Sequence, residues 1–176
     1  EARHIDISRL LSADDFYYTD SHWRQERILK VADEIADKMG AERIGQCEKN
    51  DTGVSFYGVY YGQAALPHAP ERLFYLDNAV IRGLQVYNVE TSSDIPVYDL
   101  GAAAGRDPYE MFLGGARSII KITNPNAAQE RRLIVFRDSF GSSIAPLIAA
   151  GYSEITLVDI RYISPSSLGK LIDFTK

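Results

Sequence analysis

The sequence predicts an α/β sandwich folded as one domain, and three observations carry that expectation. Residues 132–137 read as a strand, 140–150 as a helix and 154–161 as a second strand. The first of these strands is mostly apolar over 133–136, the pattern of a parallel strand buried on both faces. The length of 176 residues fits one domain of about 100–200 residues, and 45% hydrophobic with 24% charged residues is a globular composition. A single domain over 1–176 is therefore expected.

The elements follow in order. Over 22–39, Ile28, Val31, Ile35 and Met39 recur at three- and four-residue steps behind Trp23, which predicts a helix, and Gly40 is placed to cap its C-terminus. Residues 52–100 mix Tyr, Val, Phe and Leu with Gly, Pro, Asn and Asp, the mark of short strands separated by turns. A strand is predicted at 118–123, then the strand, helix and strand named above, and a last helix at 166–174. No repeat, low-complexity segment or long linker interrupts the chain, and the glycine pairs near 101–105 and 114–115 are too short to divide it.

Charge and composition exclude several function classes. With 19 Lys and Arg against 24 Asp and Glu the net charge is −5, which disfavours a nucleic-acid partner and an anionic membrane surface alike. No apolar run approaches the roughly 20 residues of a membrane span, so the chain is expected to be soluble. It starts at Glu1 with no basic-then-apolar leader, so any export signal is expected to have been removed or to lie outside it. The one cysteine, Cys47, has no partner for an intrachain disulfide and no adjacent base, and is expected to be a structural thiol.

Chemistry concentrates at Arg137-Asp138-Ser139-Phe140-Gly141, where a core strand turns into a helix. Such a turn lifts a serine hydroxyl out of the sheet and sets backbone amides where charge develops on an attacked carbonyl oxygen. The pentapeptide is a partial nucleophile elbow, with Arg137 where the first glycine stands, and helix capping by Asp138 or Ser139 is the alternative. A nucleophilic serine needs a base, and the histidines are His4, His22 and His68. His4 lies near the terminus and His68 in a Pro-rich loop between Pro67 and Ala69, whereas His22 has a carboxylate placed to orient it, Asp20, two residues before it. Residues two apart do not face each other within a helix, so Asp20 must sit in the turn ahead, where it can bond one ring nitrogen and leave the other for Ser139. Helix capping by Asp20 or Thr19 is again the alternative.

Other features are weaker. Asp20 and His22 lack a third ligand at a recognised spacing, so no metal is expected. Gly101 and Gly105 lack the lysine and the serine or threonine of a phosphate loop. Gly114 or Gly115 could offer an amide to an oxyanion or merely make a turn, and the tyrosines, with pairs at 17–18 and 60–61, could stack on sugars or simply pack.

Four segments in order resemble the DHHW family, which is named for an Asp-His-His-Trp sequence and related to SGNH hydrolases and alginate-type O-acetylation enzymes. They are Tyr18-Thr19-Asp20-Ser21-His22-Trp23, Asp107-Pro108-Tyr109-Glu110-Met111-Phe112-Leu113-Gly114-Gly115, Arg137-Asp138-Ser139-Phe140-Gly141 and Leu157-Val158-Asp159-Ile160-Arg161-Tyr162. Ser21 stands where the family has its first histidine, which leaves the Asp-x-His pair intact. The resemblance implies a three-layer, SGNH- or flavodoxin-like sandwich with a mostly parallel central sheet, Asp and His early in the chain and Ser late. It implies that Asp20 orients His22, that His22 is the general base, and that Ser139 attacks to form an acyl-enzyme. Asn124, which ends a predicted strand, is a candidate oxyanion donor, with Gly115, Arg161 and Tyr162 as further substrate or oxyanion candidates.

The expected function is thus a serine esterase or O-acyltransferase acting on acetylated cell-envelope glycan, with a carbohydrate or acyl-ester substrate and no cofactor. The rival is a non-catalytic glycan-binding or assembly module on the same fold, and a third option is an intracellular lipase-like or thioesterase activity. Family members are longer and exported or membrane-anchored. The resemblance therefore implies an extracytoplasmic setting, a chain trimmed from a longer protein and membrane-associated assembly partners through regions beyond it.

Overall fold

The computed structural model describes residues 4–65, 68–172 and 174. Helix α1 spans Leu29–Met39, with Val31, Ala32 and Ala36 buried. Gly40 caps it at φ +60°, donating its N–H to the carbonyls of Ala36 and Asp37. The regular helix starts later than the periodicity suggests. Residues 25–27 form a single 3-10 turn, and Trp23 pairs with Phe16 as an extended bridge. The reason is local: Tyr17 N–H bonds the His22 carbonyl and the Asp20 side chain takes the His22 N–H, so these residues are committed to a tight turn.

A two-stranded antiparallel ribbon follows, β1 Glu48–Phe56 against β2 Glu71–Asp77, with the short helix α2 Val59–Ala64 between them. Then come α3 Ala79–Gly83, β3 Gln85–Asn88, β4 Ser93–Ile95, α4 Leu100–Ala103 and a 3-10 turn at Pro108–Met111. The C-terminal half supplies β5 Ile119–Thr123, β6 Arg132–Phe136, α5 Phe140–Ile144, β7 Glu154–Val158 and α6 Pro165–Leu171. The helix expected at 140–150 divides: α5 gives way to a 3-10 run at Ala145–Gly151, where Pro146 has no N–H to continue the α-helical ladder. Residue 173 of the helix expected at 166–174 lies outside the described residues.

The main sheet has strand order β4-β3-β5-β7-β6. Only β6 and β7 pair in parallel; β3–β4, β3–β5 and β5–β7 are antiparallel. The expected mostly parallel, flavodoxin-like sheet is therefore corrected to a mixed, mostly antiparallel one. The physical reason is connection length. Residues 89–92 join β3 to β4 and residues 124–131 join β5 to β6 across β7, both too short for the crossover of a dozen or more residues that a parallel arrangement needs, whereas α5 and the 3-10 run after it provide one between β6 and β7. The apolar run at 133–136 also proves to be an edge strand, half-buried rather than covered on both faces.

Side-chain alternation divides the sheet between two cores. Val86, Ile120, Ile122, Ile155 and Leu157 face Ile28, Val31, Leu147 and Ile148, while Ile119 and Val158 on the other face meet Leu168 and Ile172 of the α6 segment. A third cluster, Tyr17, Phe56, Leu73, Tyr109, Met111 and Phe112, joins the ribbon to the 3-10 turn at 108–111. It is this cluster that seats the early loop against the later one. Ile120→Ala removes a fully buried side chain at the middle of the larger core and is expected to cost about 2–5 kcal/mol, read as a lower midpoint in urea unfolding.

Candidate active site

The loop at 17–24 is organised by Glu71, the first residue of β2. Its buried carboxylate accepts the N–H groups of Tyr18 and Thr19 at 3.1 and 2.9 Å, the Thr19 hydroxyl at 2.8 Å and the Arg24 guanidinium at 2.5 Å. Opposite it, Gly58 N–H donates to Thr19 Oγ1, and Tyr60 N–H to the Thr19 carbonyl. A Cβ on Gly58 would lie 2.2 Å from that carbonyl oxygen and 2.4 Å from Asp20 Cβ, so this approach admits only glycine.

Asp20 is held from both sides. Its Oδ1 accepts the His22 N–H at 2.9 Å and lies 2.5 Å from His22 Nδ1, while Oδ2 accepts the Val59 N–H at 3.0 Å. Burial works to raise the Asp20 carboxyl, yet the bonds from the His22 ring, the His22 N–H and the Val59 N–H outweigh it and hold Asp20 below its ordinary 3.8. The other ring nitrogen, His22 Nε2, stands 2.7 Å from Ser139 Oγ. The imidazole stacks on Tyr109, with centroids 4.0 Å apart and planes at 18°, and Phe140 leans on it at 4.9 Å. Asp20, His22 and Ser139 thus form one hydrogen-bonded row, with His22 and Ser139 117 positions apart in sequence. Such a row can accept the proton of a hydroxyl that attacks an acyl carbon and return it to a leaving oxygen.

Ser139 sits just past β6. Its φ of −63° and ψ of −26° are ordinary right-handed helical values, and its side chain caps nothing, because Asp138 Oδ1 takes the Phe140 N–H. The Ser139 N–H meets no acceptor among the described residues. Arg137 braces the turn from below. Its guanidinium, almost wholly buried, donates to the Asp138 carbonyl, to Ser142 Oγ and to the carbonyls of Gly115 and Arg117, and lies 3.9 Å from Asp159. Gly141 makes room for it: a Cβ there would meet Arg137 Cβ at 2.6 Å. The arginine in the first glycine's place is therefore a clamp that ties this turn to the loop at 114–117.

Several supporting residues were invisible in the sequence. Ser143 Oγ accepts from Trp23 Nε1 and from the Tyr109 hydroxyl, both at 2.7 Å, and donates to the Phe140 carbonyl. Gln25 donates to the Ser143 carbonyl at 2.7 Å and accepts the Leu76 N–H at 2.8 Å. These side chains fix the row's surroundings, and the only signals for them are two polar residues, Ser142 and Ser143, after an apolar strand and a Gln in the 3-10 turn ahead of α1.

The remaining sequence candidates lie elsewhere or are engaged. Asn124 is corrected: β5 runs against β7, so its end lies at the opposite edge of the sheet from Ser139, and the Asn124 side chain is taken by the Ala149 carbonyl and the Asn126 N–H. Gly115, at φ +72°, turns the chain near Arg137, but its N–H is spent on the Phe112 carbonyl. Arg161 and Tyr162 follow β7 at the same end as Ser139. Arg161 is held by both oxygens of Asp159, and Tyr162 is exposed beside it. Cys47 is half-buried, with its thiol pushed up by burial. Among the described residues no group of three His, Cys, Asp or Glu is placed to hold a metal ion. Beside Asp20 opens a cleft of about 650 Å³ between α2 and the turn at 106–110, lined in part by Tyr57, Tyr61, Arg106, Asp107 and Glu110.

No protein-family model matches the chain, and no curated protein is significantly similar to it in sequence. Among solved structures it shares the fold of a DHHW family protein from Eubacterium siraeum, at 19% identity and a TM-score of 0.67, over 90% of this chain and 56% of that one. It also shares the fold of Bacillus cereus PatB1. With a sulfonyl adduct, that protein gives 20% identity and a TM-score of 0.65 over 89% of this chain and 57% of that one; without the adduct, 18%, 0.60, 86% and 56%. The chain therefore spans little more than half the length of the structures it matches.

Three buried aspartates make the fold sensitive to acid. Burial works to raise Asp15, Asp20 and Asp159, but Lys30 with Ser12, His22 with Val59, and Arg161 respectively outweigh it and hold each below the ordinary 3.8. The unfolded chain then binds more protons than the folded one, so this stabilisation is complete above 3.8 and lost as pH falls through the lower folded values. Glu26, raised by burial, acts in the opposite sense near its ordinary 4.5. Urea unfolding measured from about pH 6 to about pH 2 is expected to show a midpoint falling on the acid side, with the fall shallower in Asp20→Asn.

Proposed function

We propose that the chain is a serine esterase or O-acyltransferase in which Ser139 is the nucleophile, His22 the general base and acid, and Asp20 the carboxylate that orients and stabilises the imidazolium. The observation that carries this is the 2.7 Å approach of His22 Nε2 to Ser139 Oγ with Asp20 on Nδ1. A hydroxyl and an imidazole placed so, the imidazole held by a buried carboxylate, have the geometry of nucleophilic acyl transfer. A purely binding module has no need of that row.

In the first half-reaction Ser139 Oγ bonds the acyl carbon as its proton passes to His22 Nε2, and the oxyanion accepts the unpaired Ser139 N–H. Collapse breaks the bond to the alcohol, which leaves with the proton from His22, and the acyl group remains on Ser139. Water or a sugar hydroxyl then gives its proton to His22 and attacks the ester, and Ser139 leaves with that proton restored. Asp20 stays ionised throughout, in keeping with its lowered carboxyl. Tyr109 backs the ring by stacking, which limits how far the imidazole swings between the two steps.

The substrate we assign is an acetyl ester on a glycan, and the setting extracytoplasmic, with membrane-associated partners reached through regions outside this chain. A cleft beside Asp20 with two tyrosines supports a sugar substrate. The setting and the partners rest on the DHHW resemblance alone. A sulfonyl adduct on PatB1 supports nucleophile chemistry on this fold, because such an adduct needs a nucleophile to form.

Ser139→Ala is expected to lower kcat for aryl acetate or acetylated oligosaccharide by roughly a thousandfold or more, and Asp20→Asn by roughly a hundredfold or more, with acetate release as the measure. Unchanged release in Ser139→Ala contradicts the mechanism.

A further inference from the structure

Residues 57–70 carry no Asp, Glu, Lys or Arg, in a chain in which 24% of residues are charged. Within this stretch α2 has no buried residue, and Tyr57, Val59, Tyr60 and Tyr61 are 43%, 51%, 46% and 36% exposed. Exposed aromatic side chains gathered on one short segment mark a surface that meets something. Tyr57 and Tyr61 form a pair, with ring centroids 4.6 Å apart and planes at 53°, and both line the cleft beside Asp20. The start of α2 is firmly held: Gly58, Val59 and Tyr60 all donate N–H bonds to Thr19 or Asp20. Its position relative to the Asp20–His22–Ser139 row is thereby set by the same loop that sets the row.

The facing wall comes from the turn at 106–110. Arg106, Asp107 and Glu110 are exposed there, and among the described residues Arg106 and Glu110 make no ion pair. With Asp20 behind them the lining holds three carboxylates against one guanidinium. Sugar hydroxyls donate and accept equally, so they suit such a wall, and tyrosine faces suit the C–H faces of pyranose rings. A uronate carboxylate would instead be set against an excess of negative charge.

We infer that this cleft is a subsite for an uncharged glycan chain, with Tyr57 and Tyr61 as its stacking platform and Arg106, Asp107 and Glu110 as its hydrogen-bonding wall, and that it selects against uronate polymers. The inference rests on the esterase reading for its link to Ser139, and it deepens that reading by naming the charge class of the substrate. Asp20 takes no part in holding sugar, because both of its oxygens are already bonded.

The test is titration calorimetry on the Ser139→Ala chain, which keeps the cleft and stops turnover, with two probes: a β-linked N-acetylglucosamine tetrasaccharide and a mannuronate tetrasaccharide. The expected result is saturable binding of the first and at least tenfold weaker binding of the second. Replacing both tyrosines, Tyr57→Ala with Tyr61→Ala, is expected to weaken the first by about tenfold or more, while Tyr57→Phe with Tyr61→Phe retains it, which separates lost stacking from lost folding. Glu110→Gln is expected to narrow the gap between the probes. No binding of the neutral probe, equal binding in the alanine double variant, or tighter binding of the uronate overturns the subsite. Failure of the esterase reading is distinguishable: it appears as no acetate release from aryl acetate by the unsubstituted chain, whatever the calorimetry shows.

Discussion

The contact between His22 Nε2 and Ser139 Oγ is the interaction on which the site depends, and most of the polar side chains buried nearby serve to hold its two ends. His22 belongs to a loop with little regular structure, and Ser139 to a turn at the edge of the sheet. Neither segment would find the other from local preference alone. Glu71 gathers the first by taking four donors on one carboxylate. Arg137 gathers the second by giving to three backbone carbonyls, two of them on the loop at 114–117, and to the Ser142 hydroxyl. Ser143 then joins the two, because Trp23 and Tyr109 both donate to it from the far side. A buried carboxylate or guanidinium costs several kcal/mol unless its bonds are made, so these hubs penalise any arrangement that leaves them open.

This arrangement differs from a strained nucleophile elbow. There a glycine before the serine permits a sharp, strained turn. Here Ser139 has relaxed helical angles and the position two before it is a large buried cation, Arg137. Orientation comes from hydrogen bonds under the turn rather than from backbone strain within it. Gly141 retains one function of the elbow's second glycine, since it lets the start of α5 pass directly over the Arg137 side chain.

Much of the site was legible because its logic is local. The Asp-x-His spacing requires a turn in which the carboxylate reaches back to the ring, and the structure has that turn. The strands at 119–123, 132–136 and 154–158 and the Gly40 cap were equally legible, since alternation and a glycine after an apolar stripe are short-range signals. What escaped was non-local. Strand direction follows from link length more than from strand composition, and the short link at 124–131 carried the signal that β5 must oppose β6. Asn124 lies away from Ser139 for the same reason, because the C-terminal end of β5 falls at the opposite end of the strands from that of β6. Glu71 reads in sequence as an ordinary charged strand residue, and only the fold shows the donors converging on it.

The most direct test of the account is covalent trapping. The chain is treated with an aryl sulfonyl fluoride, digested and mapped by mass spectrometry, beside the His22→Ala variant. One sulfonyl group is expected on Ser139 in the unsubstituted chain and little or none in the variant, because the hydroxyl is activated by the ring 2.7 Å away. Labelling of Ser139 at the same rate without His22, or no labelling of Ser139 at all, would contradict it.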